Sequence, residues 1–323
     1  MLLDTTRILQ HEAVQTGREP IYTERDVRDT MALWKTHEYY APFAIGDGVQ
    51  CEFKDAGHIL GSTMMFLTVS GTTMVFTGDL GNSPSPLLRD TDSIKGATYL
   101  LMESVYGDRN HENRDERKEI LRKTILDSIA KGGVLMIPAF SIERTQELLF
   151  ELNDMVEHHN IPDVKIFLDS PMAIKATEVY RRSDKYFNQE TQHIIKSGDD
   201  IFKFPRLYMT ESKEESMKIW ETKGPKIIMA GSGMANGGRI VHHIKHYASD
   251  PNNVILLVGY QAAGTPGRRL SEGQSVIRLN GDDVHVRATI AQLHGYSGHK
   301  DMDHLVEFAA EAKDTLKKVF VAI

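Results

Sequence analysis

Two short loops carry the side chains of this sequence that are best suited to chemistry. His58 lies in Asp55-Ala-Gly-His-Ile-Leu-Gly-Ser62 and Asp79 lies in Phe76-Thr-Gly-Asp-Leu-Gly81, each directly after a predicted strand. Imidazole nitrogens and carboxylate oxygens are ordinary zinc ligands, and loops at strand ends present reactive groups from a rigid scaffold. The flanking glycines permit the tight turns that bring two such loops onto one ion. The pattern predicts a shared metal site; the alternative is two ordinary turns with a buried histidine and a capping aspartate.

Length and composition indicate a globular protein of roughly two domains. The 323 residues exceed the usual size of one hydrophobic core, and the hydrophobic fraction of 41% and charged fraction of 26% are typical of soluble proteins. The sequence has neither an apolar run of about 18 residues nor a basic start followed by an apolar core, which argues against a membrane span and a signal peptide. The single cysteine, Cys51, excludes an internal disulfide framework, so the cytoplasm is the expected location.

The net charge of −7 argues against a protein that coats nucleic acid nonspecifically, because phosphate affinity comes from clustered Lys and Arg. It leaves room for a local basic groove. Candidates are Arg181-Arg182-Ser-Asp-Lys185, Arg268-Arg269 and Lys300. For the first of these clusters, a solvated surface balanced by neighbouring acids is the better interpretation.

The first third of the chain predicts two helices and then a strand-rich layer. Residues 1–35 have helical periodicity, and Thr23, followed by an acidic first turn, is the expected N-cap of the second helix. Apolar alternation then predicts strands at 49–54, 65–69, 74–77 and 97–102.

Beyond residue 111, helices and strands alternate. Helices are predicted at 112–130, 141–158 (with Ser141 as the cap), 173–182, 213–221 and 237–247, and strands at 133–138, 164–168, 206–209 and 226–230. Strands separated by helices imply right-handed crossovers and a parallel sheet. We predict a separate α/β module over residues 111–250, with the strands at 97–102 and 253–259 belonging to the other domain. One strand at 284–290 and a helix at 301–313 follow.

Six further stretches resemble, in unbroken order, the motifs of one protein family. They are Leu101-Met-Glu-Ser-Val-Tyr-Gly-Asp108, Pro138-Ala-Phe-Ser-Ile-Glu-Arg-Thr-Gln-Glu147, Leu168-Asp-Ser-Pro-Met-Ala173, Gly231-Ser-Gly-Met-Ala-Asn-Gly-Gly-Arg239, Gly259-Tyr-Gln-Ala-Ala-Gly-Thr-Pro-Gly-Arg-Arg269 and Gly295-Tyr-Ser-Gly-His-Lys-Asp301. Together with the two metal loops, this series is similar to the β-CASP branch of the metallo-β-lactamase superfamily, RNA-processing nucleases related to RNase J and to the pre-mRNA cleavage endonuclease.

The resemblance implies an α/β fold, a metallo-β-lactamase αββα sandwich that is incomplete here and carries an inserted parallel-sheet β-CASP domain. Residues 1–110 would form the metallo-β-lactamase core and residues 111–250 the β-CASP domain. Residues 251–323 would return to the core and contribute to RNA specificity.

The resemblance also implies roles for individual side chains. His58, Asp79 and His299 match zinc ligands, with Asp79 bridging two zinc ions that activate a water for in-line attack on phosphorus. Glu103, at a predicted strand end, matches an acidic catalytic residue. Arg269 stands where relatives often have a histidine that contacts the scissile phosphate. Arginine grips phosphate well but does not readily donate a proton near neutral pH, which puts a general-acid role in doubt.

Substrate contacts are expected from three of the motifs. The glycine-rich stretch with Ser232, Gly233 and Met234 precedes a predicted helix and could cradle a phosphate on backbone N–H groups. The other residues expected to bind substrate are Gly264, Thr265, Arg268, Ser297 and Lys300. The expected substrate is single-stranded RNA, with both endonuclease and 5′-exonuclease action open.

One motif of the family is missing from this sequence. Relatives carry a His-x-His-x-Asp-His run that supplies four zinc ligands, whereas His11 and His37 stand alone here. The family usually also continues past the last strand into His-Gly-Glu. We therefore expect a piece of a longer protein that binds zinc weakly, or a chain that works with a second copy or with a partner supplying the missing segment.

Three further histidines, His242, His243 and His246, share a predicted helix. A pair four residues apart can bind metal, but no third ligand is evident in the sequence, so a structural helix is the favoured interpretation.

Two other functions compete with a zinc-dependent ribonuclease. The missing histidine run favours a non-catalytic RNA-binding or scaffold subunit, whereas the presence of His58, Asp79, Glu103 and His299 opposes it. A small-molecule hydrolase of the lactamase kind is disfavoured by the inserted α/β module.

Overall fold

A computed structural model describes residues 1–111 and 116–322, and the chain divides into two compact units, Met1–Ala41 and Pro42–Ile323. The first unit contains α1 (Leu2–Thr16) and α2 (Glu24–Ala32). Thr23 caps α2 as predicted: its hydroxyl accepts the N–H of Asp26, while the Asp26 carboxylate accepts the N–H of Thr23 at 2.7 Å. Both N–H groups would otherwise lack a partner within the helix, so these two reciprocal hydrogen bonds fix the start of α2.

The second unit begins with a six-stranded sheet, which we name the first sheet. Its strands are β1 (Phe43–Gly46), β2 (Val49–Asp55), β3 (Thr63–Val69), β4 (Thr72–Phe76), β5 (Tyr99–Glu103) and β14 (Lys318–Ala322), in the order β1-β2-β3-β4-β5-β14. Pairing is antiparallel from β1 to β4 and parallel from β4 through β5 to β14. Because β2, β4 and β5 run in the same direction, the loops after them leave the same edge of the sheet.

The second sheet is fully parallel. Its strands are β6 (Val134–Pro138), β7 (Lys165–Leu168), β8 (Leu207–Met209), β9 (Lys226–Ala230), β10 (Val254–Val258) and β13 (Thr289–Leu293), in the order β13-β10-β6-β9-β7-β8. Alternate side chains enter two separate cores: Leu135 and Ile137 join one cluster, and Val134 and Met136 join the other. Burial on both faces explains why these strands are continuously apolar in sequence.

Helices cover the second sheet on each side. One core includes residues of α3 (Arg117–Ala130), α4 (Arg144–Glu157), α5 (Pro171–Arg181) and α6 (Gln189–Lys196). The other includes residues of α7 (Lys213–Glu221), α8 (Arg239–Tyr247), α9 (Pro266–Ser271) and the hairpin β11 (Val276–Leu279) and β12 (Asp282–His285). On the first sheet, α10 (Met302–Ala310) buries Leu305 and Phe308 against Met64, Val75 and Leu100, the inward face predicted for this helix.

One strand lies in a different sheet from the one expected. The strand predicted at 253–259 was expected to belong to the first domain. It forms β10, which pairs in parallel with β6 and β13 of the second sheet. All five of its residues are buried, which is the pattern of an interior strand in a parallel sheet. β6 does pair with β9 and β10 rather than with the first sheet, as the separate module predicts. The domain limits at 110 and 250 stay a prediction.

Two local predictions were wrong. Ser141 does not cap α4; the helix starts at Arg144 after Glu143, which has φ of +64°, because the side chains of Thr145 and Gln146 donate back to the carbonyls of the preceding turn. The stretch predicted as one strand, 284–290, is divided between β12 and β13, since the N–H groups of Arg287 and Ala288 both donate to the carbonyl of Ala248 and turn the chain. Of the predicted helix at 112–130, residues 112–115 lie outside the described residues, as does Ile323.

Candidate metal centre

Three loops at one edge of the first sheet are tied together by backbone hydrogen bonds. Gly81 donates to the carbonyl of Ala56 at 2.8 Å, Asn82 donates to Gly298 at 3.0 Å, and Lys300 donates to Leu80 at 3.1 Å. The approach is closest at Gly81, where a Cβ atom would lie 1.8 Å from the carbonyl oxygen of Gly57. Only glycine fits this position, which explains one of the glycines of the Asp79 loop.

His58 is held with one ring nitrogen occupied and the other open. Its Nδ1 lies 2.9 Å from the carbonyl of Gly298, so Nδ1 carries the proton and donates. Nε2, which has the lone pair, lies 3.8 Å from Oδ2 of Asp79. Burial, with a contribution from nearby His299, lowers the pKa of His58. The ring is therefore kept in the neutral form that binds metal.

His299 is oriented in the same manner by a carboxylate. Its Nδ1 lies 3.0 Å and 3.1 Å from the two oxygens of Glu103, and the Glu103 carboxylate also accepts the N–H of Leu80 at 2.5 Å. Glu103 is 7% exposed. A carboxylate behind a metal-binding histidine fixes its tautomer and raises its basicity. These contacts make Glu103 a residue that positions His299; the catalytic role predicted for it stays a prediction.

The predicted convergence of His58, Asp79 and His299 is confirmed. One potential ligand atom from each lies within 4.8 Å of the others, and among the described residues this is the group of His, Cys, Asp or Glu side chains with that geometry. Two atoms bound to the same zinc at about 2.0–2.2 Å cannot be more than roughly 4.4 Å apart, so small movements suffice. Two imidazoles with open nitrogens and one carboxylate fit a zinc donor set. The assignment of these three residues as ligands remains a prediction.

The two predicted substrate loops contact each other at the edge of the second sheet. The Gln261 side chain donates to the carbonyl of Gly233 at 3.1 Å, and Gly267 donates to the carbonyl of Met234 at 2.9 Å. Ser232 closes its own loop through a hydrogen bond from its N–H to Gly237 at 3.1 Å. The structure therefore brings together two of the three motifs expected to meet substrate.

Several of the predicted substrate residues are used to build these loops. Thr265 is the N-cap of α9: its hydroxyl accepts the N–H of Arg268 and donates to the carbonyl of Ala262. Gly264 has φ of +82°, which favours glycine. The N–H of Ile240, in the first turn of α8, donates to Gly231, so this part of the expected phosphate cradle already has a partner.

The predicted phosphate contacts differ in exposure. Arg268 is exposed and lines a cavity, whereas Arg269 is partly buried on the same helix. Ser297 and Lys300 are buried, at 6% and 7% exposure, beside the metal loops. Their predicted roles in substrate binding are not tested by these positions, but only Arg268 of the four is openly accessible.

One histidine of α8, His243, belongs to a buried hydrogen-bond network. His243 is fully buried, with Nε2 2.7 Å from Asp169, and Nδ1 accepts the N–H of Trp220 at 3.1 Å. Burial acts to raise the pKa of Asp169, but hydrogen bonds from His243, Ser216, Thr210 and Arg239 outweigh it and lower the pKa to about 2. This network accounts for His243 without a metal. His242 and His246, the pair four residues apart, are exposed on the same helix, and their structural role stays a prediction.

Sequence reasoning missed several residues that support the centre. The Tyr180 hydroxyl accepts the N–H of Leu60, in the His58 loop, at 3.2 Å and donates to buried Glu143 at 2.5 Å. Burial raises the pKa of Glu143 to about 7. Tyr106 packs 6.4 Å from the His299 ring, and His111 Nε2 lies 2.8 Å from the His299 carbonyl. Tyr106 and Glu143 lie inside the motifs named above, but nothing in their spacing distinguishes them.

Sequence comparison identifies the family. A model of the Beta-Casp domain matches residues 145–270. Over 305 residues the chain is 36% identical to Ribonuclease TTHA0252 of Thermus thermophilus, covering 93% of this chain and 69% of that protein. The chain belongs to the β-CASP branch of the metallo-β-lactamase superfamily. Both the predicted family and the predicted α/β fold class are confirmed.

Two other relatives of this β-CASP chain are archaeal. It is 32% identical over 292 residues to an RNase J-like protein of Methanocaldococcus jannaschii, covering 89% of this chain and 66% of that protein. It is 29% identical over 320 residues to Transcription termination factor FttA of Methanosarcina mazei, covering 95% of this chain and 50% of that protein. The chain thus spans about half to two thirds of the length of these archaeal relatives.

The family is one of generally metal-dependent nucleases, which agrees with the donor set found here. No described helix combines the length and the apolar character that a bilayer crossing requires.

Proposed function

We propose that this chain carries the catalytic region of a zinc-dependent hydrolase that cleaves phosphodiester bonds of single-stranded RNA. The observation that carries the proposal is the pair of oriented imidazoles. His58 and His299 each have Nδ1 engaged, which leaves Nε2 for a metal, and one ligand atom of each lies within 4.8 Å of one on Asp79. The relatives named ribonuclease and RNase J-like support RNA as the substrate.

His58, Asp79 and His299 would hold the metal, with Asp79 as the most accessible ligand at 60% side-chain exposure. A bound zinc pair supplies an activated water and neutralises charge on the phosphodiester. Glu103 and the Gly298 carbonyl keep the two rings in the required tautomer. Arg268 and Arg269 would attract the phosphate chain through charge, which requires no proton transfer from either.

The proposal is tested by measuring zinc content and cleavage of a labelled single-stranded RNA. We expect the chain alone to lose zinc to a mild chelator, because two protein ligands for each of two metals hold them weakly. Fusion to a preceding segment that carries His-x-His-x-Asp-His should give stable zinc and cleavage, and Asp79→Ala should abolish both. Cleavage that persists in Asp79→Ala and in the presence of chelator would refute the proposal.

A non-catalytic RNA-binding subunit is the second candidate. The sequence contains no His-x-His-x-Asp-His run, and this observation favours it. RNA binding without cleavage, in the fused protein saturated with zinc, would decide for this candidate.

A further inference from the structure

A cavity of about 270 Å³ lies beside the metal centre, and Arg268, one of the predicted phosphate contacts, lines it. Its walls come from the segment after β5 and from the ends of β10, α9 and β13. They include Tyr106, Arg109, Tyr260, Arg268, Gln292 and His294. The cavity therefore joins the first sheet to the second-sheet loops.

The lining combines an aromatic face with positive charge. Tyr260 is 39% exposed and packs edge-to-face on Tyr106, with ring centroids 6.0 Å apart, so it offers a ring surface to a ligand. Arg109 and Arg268 add two guanidinium groups, and no described residue of the lining is a carboxylate. Their acidic partners, Asp108 at 3.6 Å and Glu272 at 2.6 Å, form exposed ion pairs, which are weak and easily exchanged for a phosphate.

The cavity is two ring contacts from the metal centre. Tyr106, itself only 4% exposed, lies between Tyr260 and His299, with ring centroids 6.0 Å and 6.4 Å away respectively. His111, another lining residue, contacts the His299 carbonyl at 2.8 Å. A ligand in the cavity would thus lie next to whatever occupies the metal site.

We propose that this cavity binds one nucleotide of the RNA chain, with its base stacked on Tyr260 and its phosphate between Arg109 and Arg268, adjacent to the cleaved bond. Stacking on an aromatic ring tolerates every base, because each has a π face. The carboxamide nitrogen of Gln292 already donates to the Ser271 carbonyl at 3.1 Å, so its oxygen, together with the ring of His294, offers polar contacts to the base edge. The inference rests on the proposed function, since it assumes an RNA substrate.

The test is RNA binding by fluorescence anisotropy, with chelator present so that cleavage does not interfere. Tyr260→Ala should raise Kd roughly 5- to 150-fold, the range expected for loss of one base stack, while Tyr260→Phe keeps the ring and should stay within about twofold of the original Kd. Tyr208→Ala is the matched control, because Tyr208 is 41% exposed on β8 and stacks on Phe167 instead. Circular dichroism verifies that each variant is folded.

A second arm places an abasic ribose at successive positions of the RNA. One position should weaken binding to the original protein and have no further effect on Tyr260→Ala, because the same stack is already lost. An abasic penalty that is unchanged in Tyr260→Ala, or equal losses for Tyr260→Ala and Tyr208→Ala, would overturn the inference while leaving the ribonuclease proposal intact. Failure of the unaltered protein to bind RNA would overturn both. A free nucleoside monophosphate that binds more tightly than the RNA would show that the cavity serves a small molecule.

Discussion

The loops of the metal centre and the loops at the edge of the second sheet use their polar side chains differently. In the first group, Nδ1 of His58 bonds to a backbone carbonyl and Nδ1 of His299 bonds to the Glu103 carboxylate, which leaves Nε2 of each ring for a ligand. In the second group, the Thr265 hydroxyl and the Gln261 side-chain nitrogen form hydrogen bonds to backbone groups that hold the loops together. Both groups carry family motifs, so a motif alone does not separate residues that meet a ligand from residues that shape the backbone.

The largest expected effect comes from breaking the close contact that assembles the metal loops. Gly81→Ala would place a Cβ atom 1.8 Å from the Gly57 carbonyl oxygen. The nearest atoms belong to the backbone of Gly57 and His58 and cannot rotate away as a side chain could, so the two loops must separate. We expect a loss of roughly 3 kcal/mol in the free energy of unfolding, measured by urea denaturation, together with loss of zinc binding when the change is made in the fused protein.

Gly237→Ala is the matched change in the second group. Its Cβ would meet no atom within 4 Å, and its φ lies outside the left-handed range, so stability and zinc binding should stay close to those of the original chain. Equal destabilisation by the two changes would contradict the contrast between the two regions.

The metal loops also depend on a buried acid from the second sheet's helices. Glu143 is 3% exposed, and burial raises its pKa to about 7 from an ordinary 4.5, so the folded protein holds the proton more tightly than the unfolded chain. This contribution is complete below pH 4.5 and is lost as the pH rises through 7. The raised pKa of Glu143 thus contributes roughly 3 kcal/mol to the free energy of unfolding at low pH. Glu143→Gln, which keeps an acceptor for Tyr180, should therefore flatten the fall in unfolding free energy between pH 4.5 and 7.

The control for this prediction is Glu178→Gln on α5, the helix that carries Tyr180. The Glu178 side chain is 44% exposed and forms a surface ion pair with Arg181, which contributes little, so Glu178→Gln should change the free energy of unfolding only slightly. If Glu143→Gln retains the full pH dependence, the buried contact between Tyr180 and Glu143 does not titrate as described.

Sequence patterns predicted two of the metal loops well, because the direction of the strands before them determines the edge of the sheet at which they lie. β2, β4 and β5 end at one edge of the first sheet, so His58, Asp79 and Glu103 come together there, and apolar periodicity is sufficient to find those strands. His299 reaches the same edge from β13 of the second sheet, and the family motif, not strand direction, indicated it. β10 was placed in the wrong sheet because an apolar run of five buried residues reads the same in either sheet. The cavity at Tyr260 could not be predicted, since its walls come from segments whose contacts depend on how α9 and β13 pack.

A smaller effect is expected when the orientation of one imidazole is relaxed. Glu103→Gln keeps the shape of the side chain but presents a neutral amide to Nδ1 of His299, which removes the charge that fixes the ring. We expect zinc affinity to fall about 10- to 100-fold, measured by competition with a chromogenic chelator on the fused protein. Glu52→Gln, on β2 of the same sheet, should change it little; a matching decrease there would point to net charge rather than orientation.

The smallest effect should come from a single phosphate contact in the second group. Arg269→Ala should weaken RNA binding a few-fold and lower the slope of log Kd against log salt by about one, because one cation fewer releases one counterion fewer. Zinc content should stay unchanged, since Arg269 lies on α9 and none of the metal loops includes it.

Arg206→Ala is a suitable control: this exposed arginine pairs with Asp163 near β8, and its removal should leave both the salt slope and the zinc content unaltered. Loss of zinc in Arg269→Ala would show that α9 supports the metal loops directly, and the two groups would then have to be treated as one unit. A salt slope lowered by Arg268→Ala but not by Arg269→Ala would assign the phosphate contact to the arginine that lines the cavity.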